Sequence, residues 1–246
     1  MERQWTLHIH DELPSTFDLA ATVPPWSAIV ARRQTRGRGR LGRSFVCDTG
    51  GLWLSAVLPA APPPSRWQGF SLAVGEALLD ALESLGVSAR LRWPNDIMVG
   101  SRKLSGILIE QRGPHENGES RDTAICVGLG MNVSNEPWNA DPALRETACR
   151  LADFLPTATV ESALPPILAA LAAAHERFER DGLESIIATL NKKWQPRRVT
   201  LALYGERDVS GIFQGLDANG DLLLKNDVGN IFTVPHQNIQ RLVERP

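Results

Sequence analysis

The pattern of predicted strands and helices changes near Pro196, and that change limits how this 246-residue chain can fold. Upstream of Pro196, apolar strands alternate with longer helices. Downstream of it, four short strands are separated by glycine-rich turns, at 199–204, 209–216, 221–225 and 231–234. Short strands joined by tight turns are typical of a small barrel. We therefore predict two domains, 1–195 and 196–246, of which the second is a small barrel.

The first domain is predicted to be a sheet covered by helices, which is an α+β fold. Apolar segments predict strands, at 4–9, 27–32, 51–58, 89–93, 97–99, 106–110 and 123–133. Apolar residues at helical spacing predict helices that cover the sheet, at 65–85, 165–181 and 183–193, with Gly182 separating the last two. A short helix is expected after Ser15, and a polar loop is expected over 113–121.

Charge and cysteine content argue against several classes of protein. The net charge is −2, which argues against a general nucleic-acid binder, yet six of the 26 basic residues fall within 32–43. A local excess on a nearly neutral chain favours a small anion over a polyanion. Three widely spaced cysteines without a Cys-x-x-Cys motif predict neither a disulfide framework nor a zinc site. No apolar run reaches membrane-spanning length, so a soluble cytoplasmic protein is expected.

The predicted strands at 27–32 and 51–58 flank a segment with four arginines and three glycines in eight residues, 36–43. Arginine presents a fixed fork of donors that matches carboxylate and phosphate oxygens, and glycine lets the backbone approach a bound group. Because both ends of the loop are tethered to the sheet, the segment is a candidate anion clamp. Taken alone, a run of this composition is more often a solvated basic loop or a nucleic-acid patch.

Two further segments carry polar residues that a strand core would not require. The first is Arg92-Trp-Pro-Asn-Asp96 followed by Lys103-Leu-Ser-Gly106, and the second is Gly128-Leu-Gly-Met-Asn132. Each has a simple structural explanation: a turn capped by its own Asn and Asp, a solvated hairpin lysine, and close strand packing at glycine. No Gly-x-x-x-x-Gly-Lys-Ser/Thr motif is present, which excludes a P-loop.

Together and in this order, the three segments resemble the signature of the biotin protein ligase family, enzymes that attach biotin to the carrier domain of a carboxylase. Gly37-Arg-Gly-Arg-Leu-Gly-Arg43 is similar to its biotin and adenylate loop. Trp93-Pro-Asn-Asp-Ile97 with Lys103-Leu-Ser-Gly-Ile-Leu108 is similar to its central motif, and Val127-Gly-Leu-Gly-Met-Asn132 to its Gly-x-Gly-x-Asn strand. The resemblance covers about residue 8 to the C-terminus. It implies a class II synthetase-like biotin/lipoate ligase domain with a mixed sheet, and an SH3-like terminal barrel.

The resemblance also implies the chemistry. Biotin and ATP, with Mg²⁺, are expected to give biotinyl-5′-AMP and pyrophosphate, after which a lysine of a biotin carboxyl carrier domain accepts the biotin. Two anions approach each other in the first step, so cationic side chains and a metal are expected to stabilise its transition state most. A monomer or homodimer is expected, with no nucleic-acid or membrane partner. Because the catalytic pattern begins within the first fifteen residues, we expect no N-terminal DNA-binding domain and no operator binding.

The same resemblance implies residue roles. Lys103 and Arg40 are the expected catalytic residues, with Lys103 as an electrostatic stabiliser rather than a nucleophile. The residues expected to bind biotin are Ser15, Thr16, Gln34, Gly37, Arg38, Gly39, Lys103 and Gly106. The residues expected to bind the adenylate or ATP are Arg38, Arg40, Arg43, Phe45, Asn95 and Asn132. Asp96 and Asn132 are expected near Mg²⁺, because hard oxygen donors suit that ion.

Three positions depart from the family pattern. Phe17 stands where asparagine is usual, Arg92 where lysine is usual, and Phe45 where tryptophan is usual. None of these changes removes a charge that the expected chemistry requires. Two alternatives remain open at this point: a lipoate or octanoate ligase or transferase of the same superfamily, and a nucleic-acid-binding module that uses the arginine-rich loop.

Overall fold

The computed structural model describes residues 4–112, 123–205 and 207–244. The chain divides into two compact units, Met1–Glu176 and Arg177–Pro246. This division falls inside a helical segment, whereas the domain boundary predicted after residue 195 follows that segment and stays a prediction. The polar loop predicted over 113–121 lies outside the described residues.

A seven-stranded mixed sheet forms the first unit. Its strands are β1 (Thr6–Leu13), β2 (Ser27–Gln34), β3 (Gly51–Pro59), β4 (Arg90–Arg92), β5 (Asp96–Val99), β6 (Arg102–Arg112) and β7 (Ala124–Asn132). Their order across the sheet is β1-β2-β3-β7-β6-β5-β4. Strands β1 and β2 are parallel, and the other neighbours are antiparallel. Strand β7 therefore lies in the middle, and all but one of its residues are buried.

Two helices pack on this sheet and confirm the predicted α+β class. Helix α1 (Thr16–Ala20) contacts β2, β3 and β7, whereas α2 (Phe70–Ser84) contacts β4, β5 and β6. A short helix, α3, covers Leu144–Thr147, and the long helical segment α4 covers Val160–Lys193. Segment α4 is interrupted at Gly182, whose φ of 71° departs from helical geometry as the sequence predicted.

Two helix starts differ from the sequence prediction. Helix α2 begins at Phe70 rather than at residue 65, because Gly69 has a left-handed backbone that separates it from a 3₁₀ turn at Pro64–Trp67. Segment α4 begins at Val160, ahead of the prolines that were predicted to open it. Thr159 and Ser162 cap this start reciprocally, each backbone N–H donating to the other's hydroxyl oxygen.

The second unit contains a five-stranded antiparallel sheet, as expected for the predicted SH3-like barrel. Its strands are β8 (Arg197–Leu203), β9 (Val209–Leu216), β10 (Leu222–Lys225), β11 (Ile231–Val234) and β12 (Ile239–Glu244). They are ordered β11-β10-β9-β8-β12. The sequence prediction missed β12, whose pairing partner β8 lies far upstream in the chain. That pairing depends on tertiary structure and has no local turn signal.

Glycine on the central strand makes room for α1. A Cβ atom at Gly128 would lie 2.0 Å from Cε2 of Phe17, so the Phe17 ring rests directly on the β7 backbone. Phe17 also packs against a buried apolar cluster that joins α1 to β2, β3 and β7, formed by Ala20, Ile29, Val57, Ala124 and Cys126. The departure at position 17 is therefore explained by packing: the phenylalanine fixes α1 to the sheet.

The other end of α1 is held by Arg112 at the end of β6. Its guanidinium donates hydrogen bonds to the carbonyl oxygens of Ala20 at 3.1 Å, Ala21 at 2.8 Å and Val23 at 3.3 Å. A cation at the carboxyl end of a helix satisfies carbonyls that have no partner within the helix. Helix α1 is thus held at both ends, which fixes Ser15 and Thr16 at its amino end.

We predict that Gly128→Ala destabilises the protein by about 1–3 kcal/mol, because the added methyl group overlaps the Phe17 ring in a packed region. Urea denaturation measures the loss. Combining Gly128→Ala with Phe17→Leu, which makes space at the same point, should recover part of it. Equal instability of the single and double variants would contradict this account of the packing.

Candidate active site

The arginine- and glycine-rich segment folds into a hairpin between β2 and β3. Arg38 and Ser44 form an antiparallel bridge, and the Gly39 N–H donates to the Arg43 carbonyl oxygen at 2.7 Å. A Cβ atom at Gly37 would lie 2.4 Å from both the Cys47 sulfur and the Phe45 carbonyl oxygen. Only glycine fits there without a shift of the backbone, so this position fixes the hairpin against the strand that follows it.

The hairpin arginines contact two other elements. The Arg38 guanidinium forms an ion pair with Asp18 on α1. The Arg40 guanidinium lies 3.5 Å from the Asn95 side-chain oxygen, in the turn between β4 and β5. The structure therefore brings together Arg40 and Asn95, two residues predicted to bind the adenylate. It also joins the hairpin to α1 on one side and to the central motif on the other.

A carboxylate held between two cations lies at the ends of β4, β5 and β6. Asp96 Oδ1 is 2.5 Å from Lys103 Nζ, and its Oδ2 is 2.6 Å from an Arg92 guanidinium nitrogen. Burial raises the pKa of Asp96, but the charges and hydrogen bonds of Lys103 and Arg92 outweigh burial and hold that pKa below its ordinary value. Three formal charges therefore leave one net positive charge, which suits an anionic ligand.

An aromatic ring and a glycine of β6 lie beside the Lys103 ammonium. Gly106 and Gly130 are paired across β6 and β7 and form a floor without side chains, on which the Phe45 ring packs. Lys103 Nζ lies 5.4 Å from the centroid of that ring, and 3.0 Å from the point that a Cβ at Gly106 would occupy. Trp53 supports the Phe45 ring in an edge contact at 5.9 Å, and the predicted contact of Phe45 with the adenylate stays a prediction.

Three of the residues predicted to bind biotin, Ser15, Thr16 and Gln34, form a second cluster at the amino end of α1. Thr16 donates to the Gln34 side-chain oxygen from its backbone N–H at 2.7 Å and from its hydroxyl at 3.0 Å. Ser15 is buried and precedes the helix, yet its hydroxyl makes no capping hydrogen bond. This hydroxyl is therefore not used by the helix it introduces.

Asn132 is committed to structural hydrogen bonds. Its amide nitrogen donates to the Cys149 carbonyl oxygen at 3.1 Å, and its side-chain oxygen accepts from the Asn135 amide at 3.0 Å. Asn132 is also buried. In this arrangement the amide fixes the segment after β7, and its predicted contact with nucleotide or metal stays a prediction.

The residues expected near Mg²⁺ do not form a set of metal ligands by themselves. Both oxygens of Asp96 face cations, and the Asn132 side-chain oxygen accepts a hydrogen bond from Asn135. Within 4–112, 123–205 and 207–244, no group of three His, Cys, Asp or Glu side chains is placed to hold a metal ion. This donor set does not fit an ion bound by protein alone, so Mg²⁺ would depend on substrate phosphates for its ligands.

Sequence reasoning missed two side chains that join the second cluster. Ser55 on β3 lies 2.7 Å from the Thr16 hydroxyl, and Cys47 lies 3.1 Å from the Gln34 amide nitrogen. A signal for Ser55 existed, because it is a polar residue within the apolar strand Gly51–Pro59. Cys47 gave no such signal, since a buried cysteine is ordinary core material.

The fold and the site define a class of protein: a mixed-sheet domain with cationic side chains on its glycine-rich face, and a small antiparallel β unit. Residues 11–132 match the biotin/lipoate A/B protein ligase family, and residues 197–240 match the biotin protein ligase C-terminal domain. A biotin–acetyl-CoA-carboxylase ligase of Paracoccus denitrificans is 31% identical over 217 residues, covering 82% of this chain and 85% of that protein. The chain belongs to the biotin protein ligase family.

Other relatives also match most of this chain. The bifunctional ligase/repressor BirA of Salmonella typhimurium is 32% identical over 211 residues, which are 81% of this chain and 62% of that protein. The chain thus matches less than two thirds of that relative's length. The solved structure of the biotin protein ligase of Aquifex aeolicus in complex with biotin and ATP superposes with a TM-score of 0.80 at 26% identity, covering 98% of this chain and 99% of that one.

We predict that Asp96→Asn lowers the free energy of unfolding by about 2 kcal/mol at pH 7, because two neighbouring cations lose their shared carboxylate. The folded-state pKa of Asp96 lies below the unfolded value. Its contribution is therefore complete above about pH 4 and is lost as the pH falls through the folded-state pKa. Urea denaturation from pH 7 to pH 3 measures both effects.

The matched control is Asp11→Asn, which removes a carboxylate whose side chain is 93% exposed and lies 3.6 Å from Arg32. An exposed pair of this kind contributes about 0.5 kcal/mol or less. The electrostatic explanation would be wrong if Asp96→Asn lowered the free energy of unfolding by as much at pH 3 as at pH 7.

Proposed function

We propose that the protein is an ATP-dependent biotin protein ligase, which forms biotinyl-5′-AMP and transfers biotin to a lysine of a biotin carboxyl carrier domain. The observation that carries the proposal is the position of the Lys103 ammonium, next to Gly106 of the glycine floor and 5.4 Å from the centroid of the Phe45 ring. An ammonium held there can contact both a carboxylate and a phosphate that bind on this face of the sheet. The similar Aquifex aeolicus ligase, whose solved complex contains biotin and ATP, supports this choice of ligands.

In the first step, a biotin carboxylate oxygen attacks the α-phosphorus of ATP, the bond to the β-phosphate breaks, and pyrophosphate leaves. Negative charge accumulates on the oxygens around phosphorus, so fixed donors at that point lower the barrier most. Lys103 and the guanidinium of Arg40 are the donors we assign there. When bound, Mg²⁺ would neutralise charge on the ATP phosphates.

In the second step, the amine of a carrier lysine attacks the biotinyl carbonyl carbon. The bond from that carbon to the phosphate oxygen breaks, AMP leaves, and the amine loses a proton. The same cations stabilise the departing phosphate, because AMP leaves as an anion. Lys103 acts only by its charge in this scheme and forms no covalent bond.

Two features of the chain bear on its location in the cell. Cys47, Cys126 and Cys149 are free and buried, which supports our assignment of a reducing, cytoplasmic location. None of the helices described has the combined length and apolar character needed to span a bilayer. We assign a carboxylase carrier domain as partner, and a monomer or homodimer as the working state.

The alternatives are less well supported. Relatives from Paracoccus denitrificans and Mycobacterium tuberculosis are named as biotin–acetyl-CoA-carboxylase ligases, so lipoate or octanoate is not favoured as the substrate. A nucleic-acid module is also disfavoured, because carboxylates already accompany the basic segment. Arg32 pairs with Asp11, Arg33 with Glu12, and Arg38 with Asp18. A polyanion would have to displace those carboxylates to reach the arginines.

The test is incubation of the protein with ATP, Mg²⁺, biotin and an apo carrier domain, followed by mass spectrometry. The proposal expects biotinyl-5′-AMP without carrier and biotinylated carrier with it. A parallel reaction with lipoate should give no modified carrier. Absence of both biotin products, or preference for lipoate, would refute the proposed function.

We predict that Lys103→Ala loses about 3 kcal/mol of transition-state stabilisation, roughly a 100-fold drop in the rate of adenylate formation. The matched control is Lys192→Ala, which removes an exposed lysine in α4 and should leave the rate unchanged. Circular dichroism establishes that both variants are folded. A folded Lys103→Ala variant with a wild-type rate would contradict the electrostatic role.

We predict that Arg40→Ala releases the adenylate prematurely, because a guanidinium that spans the hairpin and Asn95 is lost. Released adenylate biotinylates unrelated lysines, so the readout is biotin on added serum albumin. Arg36→Ala removes a neighbouring exposed arginine of the same segment and serves as the control. Retention of the adenylate by Arg40→Ala, equal to the control, would refute this role.

A further inference from the structure

Four side chains form one chain of hydrogen bonds beneath the hairpin. Ser55 Oγ lies 2.7 Å from Thr16 Oγ1, and Thr16 Oγ1 lies 3.0 Å from Gln34 Oε1. At the other end of the amide, Gln34 Nε2 lies 3.1 Å from the Cys47 sulfur. Ser55, Thr16 and Cys47 are buried, whereas Gln34 is partly exposed. Gln34 is therefore the member of this chain that can meet a ligand.

The direction of each hydrogen bond follows from one backbone group. The Thr16 backbone N–H can only donate, so the Gln34 atom at 2.7 Å from it must be the amide oxygen. The Thr16 hydroxyl therefore also donates to that oxygen, which leaves Ser55 as the donor to Thr16. The amide nitrogen of Gln34 then faces Cys47 and donates to its sulfur.

Cys47 holds Gln34 at two points. Besides the sulfur contact, the Cys47 carbonyl oxygen accepts the Gln34 backbone N–H at 3.0 Å. Burial raises the pKa of the Cys47 thiol to about 12, so the sulfur is a neutral, weak acceptor at physiological pH. The missing side chain at Gly37 gives the sulfur its space, since a Cβ there would lie 2.4 Å from it.

We infer that Cys47 is a positioning residue for biotin, acting through Gln34. The inference rests on the proposed function and deepens it. The hydrogen bonds from Thr16 orient the Gln34 side-chain amide so that its nitrogen faces Cys47. The hydrogen bond to the Cys47 sulfur then fixes the plane of that amide. Gln34 Nε2 carries two hydrogens, of which one faces the sulfur; the other is thereby aimed at an acceptor such as the carbonyl oxygen of a cyclic urea.

The test compares Cys47→Ala with Cys47→Ser. We expect Cys47→Ala to raise Kd and KM for biotin about tenfold, as for one lost hydrogen bond, with kcat and KM for ATP nearly unchanged. Serine restores an acceptor, so Cys47→Ser should recover most of the affinity. Cys126→Ala is the control, because it deletes another buried thiol, whose sulfur lies 3.9 Å from the Ala20 carbonyl oxygen.

A double-mutant cycle separates positioning from general loosening of the hairpin. If Cys47 acts through Gln34, Cys47→Ala should have almost no further effect on biotin Kd in a Gln34→Ala background. Isothermal titration of biotin gives each Kd, and thermal denaturation gives the stability of each variant.

The outcomes are distinguishable. Wild-type protein that does not bind biotin would overturn the proposed function and the inference with it. Wild-type binding together with equally tight binding by Cys47→Ala would overturn the inference alone. Equal losses in the wild-type and Gln34→Ala backgrounds, or equal losses in Cys47→Ala and Cys126→Ala, would also overturn it.

Discussion

The absence of side chains at three neighbouring points of the sheet is the constraint on which the site depends. Gly128 leaves space for Phe17, while the pair Gly106 and Gly130 leaves space for Phe45. Because strands alternate their faces, all three glycines lie on one face of β6 and β7. A methyl group at Gly128 would overlap the Phe17 ring, one at Gly130 would press on the Phe45 ring, and one at Gly106 would crowd the Lys103 side chain. Helix α1, the hairpin and Lys103 could then not meet over the same surface.

Charge organises the rest of that surface. Asp96 joins two cations from different strands, so the ends of β4, β5 and β6 are tied by ion pairs as well as by the sheet. The arrangement leaves a net positive charge that is only partly exposed, where attraction to an anion is stronger than in bulk water. The arginines of the hairpin add donors from the other side. The site therefore combines a floor of glycine backbone with cationic side chains around it.

Much of the fold and the site could be predicted from local sequence patterns. The exceptions depend on backbone details or on contacts between residues distant in sequence. The mixed sheet, the break at Gly182 and the order of the motifs follow from local patterns and agree with the structure. The starts of α2 and α4 were wrong because backbone details decided them: a left-handed Gly69 in one case and a Thr159–Ser162 cap in the other. The pairing of β12 with β8 and the burial of Asn132 depend on residues distant in sequence.

The sequence by itself determined the class of fold, the family and the identity of the charged residues, because periodicity and motif order are properties of neighbouring residues. Only the tertiary structure decided which residues form ion pairs and hydrogen bonds with one another. It places Asp96 between two cations, commits the Asn132 amide to the segment after β7, and joins Cys47 to Gln34. Such assignments depend on distances between separate strands and loops, which local sequence does not specify.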